Sequence, residues 1–441
     1  MTFKENVSEV REITMRMLKA VLLLMFFCIP SMADADCPDS TPVCTWTGTL
    51  TYVGMTGSFC RTPMFNPETS WQCNSRATWM TDDSFIQNAT LATITIPGAH
   101  DAGMGTITKC SDYALPSVTK TQNRSIIQML NSGVRVFDFR PTIVDGGMYL
   151  GHYSWIGRTI GLASAPLAKL ETEGCTGYSV DQALSEIANF VNPWYGRHEV
   201  VILKLSHMYN LDKYNIENSY FDQSDFDGLM SKIRYTIPDS ALVNNNSNFL
   251  TTPIRHLTRN GSVVIITVEA GNGTFNVNAL DGSAGVYNVN ALPPLQSGGP
   301  TPVIFGEYTE TNDYDTMQRK QLRKVLDASM AQHYTELIWT LTQTPDQATG
   351  CVISSKFSPL VSLAAGYGDG CTSIENLANK VNANYQRIWD WYNWNSNYLG
   401  NKCKFCPNVI YVDFANNIAQ SQGWIRSVMD QVVIPLNALR H

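Results

Sequence analysis

Five stretches of the chain are near-continuous runs of Val, Ile, Leu and Phe: 199–207 (EVVILKLSH), 262–270 (SVVIITVEA), 301–308 (TPVIFGEY), 335–344 (TELIWTLTQT) and 408–416 (NVIYVDFAN). Strands of that composition are buried on both faces, the condition of a parallel sheet covered by helices. Parallel strands need crossovers, and helical patterns lie between several of the runs. Ser179 to Val191 opens at a Ser179 cap, while Thr316 to His333 and Ser373 to Trp391 are longer. Repeated strand–helix alternation leaves two architectures, a (β/α) barrel or a doubly wound sheet. The long intervals before Ser262 and between Gln343 and Asn408 predict insertions, and no internal repeat of fixed period is evident.

Three earlier β-type runs decide between the two. They are TITIPGAHDAGM (93–104), the end of SIIQMLNSGVRVFDFRP (125–141) and MYLGHY (148–153). Each ends in polar residues: His100 and Asp101, then Asp138 and Arg140, then His152. Polar groups delivered at the carboxyl ends of buried strands are what the mouth of a barrel looks like in sequence, so the predicted fold is α/β, a TIM-like (β/α) barrel. Two imidazoles and a guanidinium arriving together supply a base, an acid and an anion clamp, a set suited to cleaving a phosphodiester.

The 441-residue length suits one large barrel with additions. Residues 1–33 read as a signal peptide, with Ala20 to Ile29 as its apolar core and cleavage after Ala33 or Ala35; a start at Met15 or Met17 gives it a more ordinary length. No other run approaches the ~20 apolar residues of a membrane span, so the predicted mature chain is exported and has no transmembrane segment. Its charge, –7 for the whole sequence, includes no basic block, which argues against nucleic acid and against strong electrostatic docking on anionic lipid. Removing Cys28 with the leader leaves an even number of widely spaced cysteines, which favours disulfides. Cys403 and Cys406 have the spacing of half a zinc site, but the second close pair is missing. Sequons at Asn88, Asn123, Asn245, Asn260 and Asn272 agree with a secretory route. The expected organisation is a leader (1–33), a small Cys-rich N-terminal extension (34–76) and the barrel (77–441).

The IPGAHDAGM run, the SGVRVFDFRP run and the GHY after it together resemble the catalytic X region of phosphatidylinositol-specific phospholipase C, over roughly Trp79 to Asn417. The resemblance implies a TIM-like barrel, often incomplete or distorted, that cleaves the glycerol–phosphate bond of inositol phospholipids at a membrane surface. It implies His100 as the base acting on the inositol 2-hydroxyl, and His152 as the acid protonating the diacylglycerol oxygen. Asp413 matches the carboxylate that orients the first histidine. Arg140 stands where the calcium-dependent signalling members carry an acidic metal ligand and the bacterial-type enzymes carry their cation. Ser206 is neutral at a further ligand position, and Asp101 replaces the Asn that follows the first histidine in the calcium class. A guanidinium binds phosphate oxygens bidentately, so the resemblance implies cleavage without metal or other cofactor. Asp101 then assists the acid step and Asp138 holds Arg140. Ser206, His207, Tyr308 and Asp138 are the predicted substrate-binding residues, Tyr308 as the tyrosine that stacks on the inositol ring. Glu269 stands where close bacterial relatives carry a basic residue, which opens the identity of the head group.

Weighed against these roles, His198, His256, His333 and His441 read as structural, Asp82 and Asp83 as a solvated turn or cap, and Arg135 as a barrel-outer residue. Asp413 also fits a helix cap. Tyr153 and Trp155 fit either membrane insertion or packing. Two other functions are compatible with the sequence: a phosphodiesterase for another lipid or a glycosylated inositol head group, and a secreted lipid- or glycan-binding module without turnover.

Overall fold

The computed structural model describes residues 42–46, 71–162, 165–213, 219–243, 248–276, 280–282, 285–292, 306, 308–330, 333–356, 371–399, 406–415 and 432–439. Its strands are β1 (Pro42–Trp46), β2 (Trp71–Ser75), β3 (Ile96–Ala99), β4 (Lys109–Cys110), β5 (Val136–Phe139), β6 (Pro141–Val144), β7 (Gly147–Leu162), β8 (Ala165–Ser179), β9 (Val200–Leu205), β10 (Tyr209–Asn210), β11 (Val263–Val268), β12 (Val286–Asn288), β13 (Glu336–Ile338) and β14 (Val409–Val412). β1 and β2 pair antiparallel with each other. The predicted leader lies outside the described residues.

Seven strands form one sheet in the order β12-β11-β9-β5-β3-β14-β13, with parallel pairing throughout. Followed from β3, the neighbours run β5, β9, β11, β12 and, on the other side, β14 and β13: chain order around a ring. The ring is not closed among the described residues. Of the predicted strand run 301–308, residues 301–305 and 307 lie outside the described residues. Curling is nevertheless evident, because Lys204 on β9 bonds Glu336 on β13, four places away in the sheet.

Strand periodicity sorts the side chains. Val136, Val200, Ile202, Val263, Ile265, Ile338, Val409 and Tyr411 pack in one cluster. Phe137, Val201, Leu203, Val264, Ile266, Ile410 and Val412 face the other way and pack with Leu184, Ile187 and Leu229 of the helices. Continuing the inward parity toward the carboxyl ends gives His100, Asp138, Arg140, Lys204, Ser206, Glu269 and Asp413. The tight interior explains the glycine of IPGAH: a Cβ on Gly98 would stand 2.8 Å from the Tyr411 ring.

The helices agree with the sequence in place and differ in extent. Val180–Phe190 is capped by Ser179, which accepts from the Gln182 amide at 3.1 Å. Tyr314–Met330 occupies the second predicted segment, and the third divides into Ile374–Asn382 and Gln386–Leu399. Asp83 caps the short helix Ser84–Asn88 by accepting from Phe85 and Ile86, as a cap reading requires. The run 335–344 is a strand only over β13.

MYLGHY corrects the expectation of a third barrel strand. β6, β7 and β8 form an antiparallel meander, flanked by β10 and β4 in a separate five-stranded sheet. An apolar run of this length looks the same in sequence whichever partner it pairs with. Cys110–Cys175 ties β4 to β8, a second disulfide joins Cys351 to Cys371, and Cys406 is itself disulfide-bonded, which removes it from any zinc half-site. Among the described residues no helix is long and apolar enough to cross a membrane.

Arg135 has the outer parity expected of it but is fully buried. Its Nε donates to Glu199 at 2.9 Å, and its Nη atoms donate to the carbonyls of Leu130, Val134 and Ala77. Glu199 also accepts from the Thr81 amide and hydroxyl. Removing one partner strands the other charge in the interior, so Glu199→Ala is expected to cost about 3–5 kcal/mol in a denaturant melt.

Candidate functional site

The carboxyl ends of β3, β5, β9 and β14 bring the predicted residues together. Three strand exits turn on left-handed residues that are not glycine: Asp101 after β3 (φ 43°), His207 after β9 (φ 46°) and Phe414 after β14 (φ 49°). Such backbone is sparsely populated for residues with a Cβ and persists only where the surroundings enforce it. In IPGAHDAGM it coincides with a close approach, since a Cβ on Gly103 would lie 2.0 Å from that of Leu150 on β7. The turn therefore seats against the meander that carries His152.

His100 sits at the centre. Its Nδ1 lies 2.6 Å from Asp413 Oδ1, and its Nε2 accepts from Arg140 Nη2 at 2.9 Å. These partners assign the proton to Nδ1 and leave the Nε2 lone pair directed at the guanidinium. Arg140 is held on several sides. Its Nε pairs with Asp101 Oδ1, Nε and Nη2 reach Asp138 Oδ2 at 3.2 Å, and Nη2 donates to the Tyr308 hydroxyl at 2.9 Å. The Arg140–Asp101 contact has the geometry of an ion pair rather than of an aligned hydrogen bond. Asp101 is buried and also stands 3.1 Å from His152 Nδ1, so it bridges guanidinium and second imidazole. His152 Nδ1 is likewise 3.1 Å from the Thr119 carbonyl, which leaves Nε2 for another partner.

The charges push the two imidazoles apart. Burial opposes protonation of His100, but Asp101 and Asp413 outweigh it and raise its pKa. At His152 burial prevails over Asp101, with Arg140 and His100 acting in the same direction, and the pKa is lowered. Burial works against the Arg140 charge, yet Asp101 and the other partners hold it firmly protonated. Asp138 is buried too, and Arg140 keeps it ionised far below the usual carboxylate range.

The predicted substrate contacts are placed as follows. Ser206 is buried and donates to Asp138 Oδ1 at 2.7 Å, so it braces the residue that braces Arg140. His207 is exposed, its Nδ1 3.0 Å from Ser206 Oγ. Tyr308 tilts over His100 with ring centroids 5.2 Å apart. Beside them is a cavity of about 420 Å³ lined by Asp138, Lys204, His207, Glu269, Tyr308 and Glu310. Tyr153 is buried on β7 and therefore packs; the Trp155 side chain lies outside the described residues. His198 Nδ1 is 2.6 Å from the Thr258 carbonyl, a structural arrangement.

Three features were not foreseen. Lys204 enters the cavity from β9, its Nζ 2.9 Å from buried Glu336 and 3.4 Å from half-exposed Glu269. The signal was available: a lysine of inward parity inside VVILKLS. Glu336 opens the short β13, shares the inward parity of Ile338 and was likewise passed over. Gln122, from a polar connection, bonds the carbonyls at the ends of both β3 and β14.

His100, Asp101 and Asp138 can each turn one ligand atom to a common point, all within 4.8 Å of one another. Both carboxylates and the imidazole are engaged by Arg140, so a metal bound there would have to displace the guanidinium or confront its charge. This donor set fits an internal cation better than an added one.

No family model matches the chain. A PI-PLC X-box domain-containing protein of Dictyostelium discoideum is 27% identical over 150 residues, which are 31% of this chain and 17% of that protein. The chain thus spans about 17% of the length of the curated relative it matches. Among solved structures, the F249X mutant of phosphatidylinositol-specific phospholipase C from Staphylococcus aureus superposes with a TM-score of 0.50 at 13% identity, covering 82% of this chain and 98% of that one. The phosphatidylinositol-specific phospholipase C from Listeria monocytogenes gives 0.45 at 16% identity, over 83% and 98%. At such identities the likeness is one of fold.

Proposed function

We propose that this chain is a phosphatidylinositol-specific phospholipase C-like phosphodiesterase of the metal-independent kind. The observation that carries the reading is the convergence of His100, paired with Asp413, and His152, paired with Asp101, on either side of one buried guanidinium. The Dictyostelium relative supports it from sequence.

In the proposed reaction the lipid phosphate binds Arg140, displacing the His100 contact and freeing the Nε2 lone pair. His100 takes the proton of the inositol 2-hydroxyl as that oxygen attacks phosphorus. The bond from phosphorus to the glycerol oxygen breaks, and His152 protonates the departing alkoxide. The products are inositol 1,2-cyclic phosphate and diacylglycerol. Asp413 fixes the base tautomer and stabilises the imidazolium, and Asp101 orients the acid. Tyr308 stands where a sugar ring could lie against it, and Asp138 with Ser206 keeps Arg140 in place.

The pKa shifts have a specific consequence. A raised His100 is a stronger base and a lowered His152 a stronger acid, yet the single resting proton then favours His100. The productive state is the tautomer with the proton on His152. Arg140 depresses both imidazoles, so its neutralisation by bound phosphate raises the two together. With both imidazoles protonated there is no base, and with both neutral there is no acid. The kcat/KM profile should therefore be a bell, its acid limb below the ordinary histidine value of about 6.5 and its alkaline limb above it. Asp413→Asn removes a charge that raises His100, so the alkaline limb should move to lower pH.

The direct test is phosphorus NMR of phosphatidylinositol incubated with purified protein in excess EDTA. Formation of the cyclic phosphate is expected. Complete loss on chelation, restored by calcium, would overturn the metal-free mechanism. A second reading, a glycosylated inositol head group, is motivated by Glu269, which lines the cavity at the position where a basic residue was expected. A head-group panel separates the two.

The proposed setting is extracellular, with the leader at 1–33, the extension at 34–76 and the catalytic unit at 77–441, acting peripherally on lipid. The disulfides support it, as does the exposure of Asn88, Asn123, Asn260 and Asn272.

A further inference from the structure

Residues 119–122 belong to the connection between β4 and the helix Ile126–Asn131, and they bond the His152 side chain and the main chain at the ends of β3 and β14, which carry His100 and Asp413. The Thr119 carbonyl is 3.1 Å from His152 Nδ1. Thr121 Oγ1 donates to the Asp101 carbonyl at 3.0 Å, and the Thr121 carbonyl accepts from the Phe414 amide at 2.6 Å. Gln122 Nε2 donates to the carbonyls of His100 (2.7 Å) and Val412 (3.2 Å), while its Oε1 accepts from the Ala415 amide at 3.0 Å. Gln122 is 1% exposed, so its amide has exchanged water for these three partners.

The placement of these bonds matters more than their number. Asp101 directly follows His100, Phe414 directly follows Asp413, and both hold left-handed backbone that a side-chain-bearing residue leaves when it can. Thr121 bonds the main chain of both. Gln122 bonds the carbonyls of His100 and of Val412, which precedes Asp413, and so fixes the two strand ends against each other at the point where their side chains meet.

The geometry points to Thr119–Gln122 as a clamp on acid and base together, with Gln122 as a positioning residue that sets the His100–Asp413 contact through the backbone of β3 and β14. Gln122 acts on those strand ends and not on the substrate. The kinetic part of its test rests on the phosphodiesterase reading; the spectroscopic part does not.

Two variants test it. Gln122→Met keeps the length and removes all three bonds. It is expected to lower kcat about 100-fold, the scale of a misplacement near 1 Å, with KM little changed and the alkaline limb of kcat/KM moved to lower pH as His100 loses its close carboxylate. Gln122→Glu can donate again once protonated, so its activity relative to wild type should recover toward acid pH. In protein labelled with nitrogen-15 histidine, the ring signals of His100 and His152 should shift in Gln122→Met. A kcat within twofold of wild type, a superimposable pH profile and unmoved ring signals would overturn the clamp. So would a loss that merely follows the unfolded fraction measured by circular dichroism. A wild type without turnover on any phosphodiester sinks the functional reading, and the ring signals then decide the clamp alone.

Discussion

His100→Ala is expected to lower kcat for phosphatidylinositol cleavage by about 10²–10⁴-fold, the contribution of a positioned general base. Truncation deletes the Nε2 lone pair, which no neighbour replaces: the atoms around it are a guanidinium and carboxylates already committed to that guanidinium. Affinity for lipid should change far less, because Arg140 keeps its charge. A non-catalytic binding module predicts a different result, unchanged ligand binding and no rate to lose. Turnover within tenfold of wild type would remove His100 from the base role. Asp413→Asn should cost less than His100→Ala, since the imidazole stays and only its tautomer and basicity suffer.

Arg140 carries the second large effect. Arg140→Ala is expected to reduce kcat/KM by about 10²–10³-fold, roughly 3–4 kcal/mol of preorganised electrostatic stabilisation. Alanine also leaves Asp101 and Asp138 buried without their cation, so part of the loss is structural. Arg140→Lys separates the contributions. It restores the charge but not the planar fork that spans Asp101, Asp138 and Tyr308 at once. Recovery of folding stability with little recovery of rate is expected from lysine, measured as a denaturant midpoint beside kcat/KM. Full recovery of rate would mean that charge alone suffices and that the fork is incidental.

Much of this site was legible because strands alternate with period two. In 96–100, 136–140 and 409–413 the polar residues share a parity with the apolar ones that fill the barrel, and the structure keeps them together. What parity could not supply was pairing. MYLGHY has strand composition whether it lies in the ring or in a meander, so His152 was found and its sheet was not. Lys204 obeyed the rule and was passed over, its charge hidden in an apolar run. Gln122 obeys no periodicity: its bonds reach His100, 22 residues back, and Val412, 290 residues on. A glutamine in a polar connection offers no local sign of such partners. The pairing of His100 with Asp413, 313 positions apart, was legible only through family resemblance.

The shared inward parity also limits how genes for such barrels can drift. Deleting or inserting a single codon inside β5 or β14 would rotate Asp138 or Asp413 outward beneath the helices and bring an aliphatic group to the mouth. Length variation among descendants of this chain should therefore accumulate in the connections, with the strand cores changing by substitution alone.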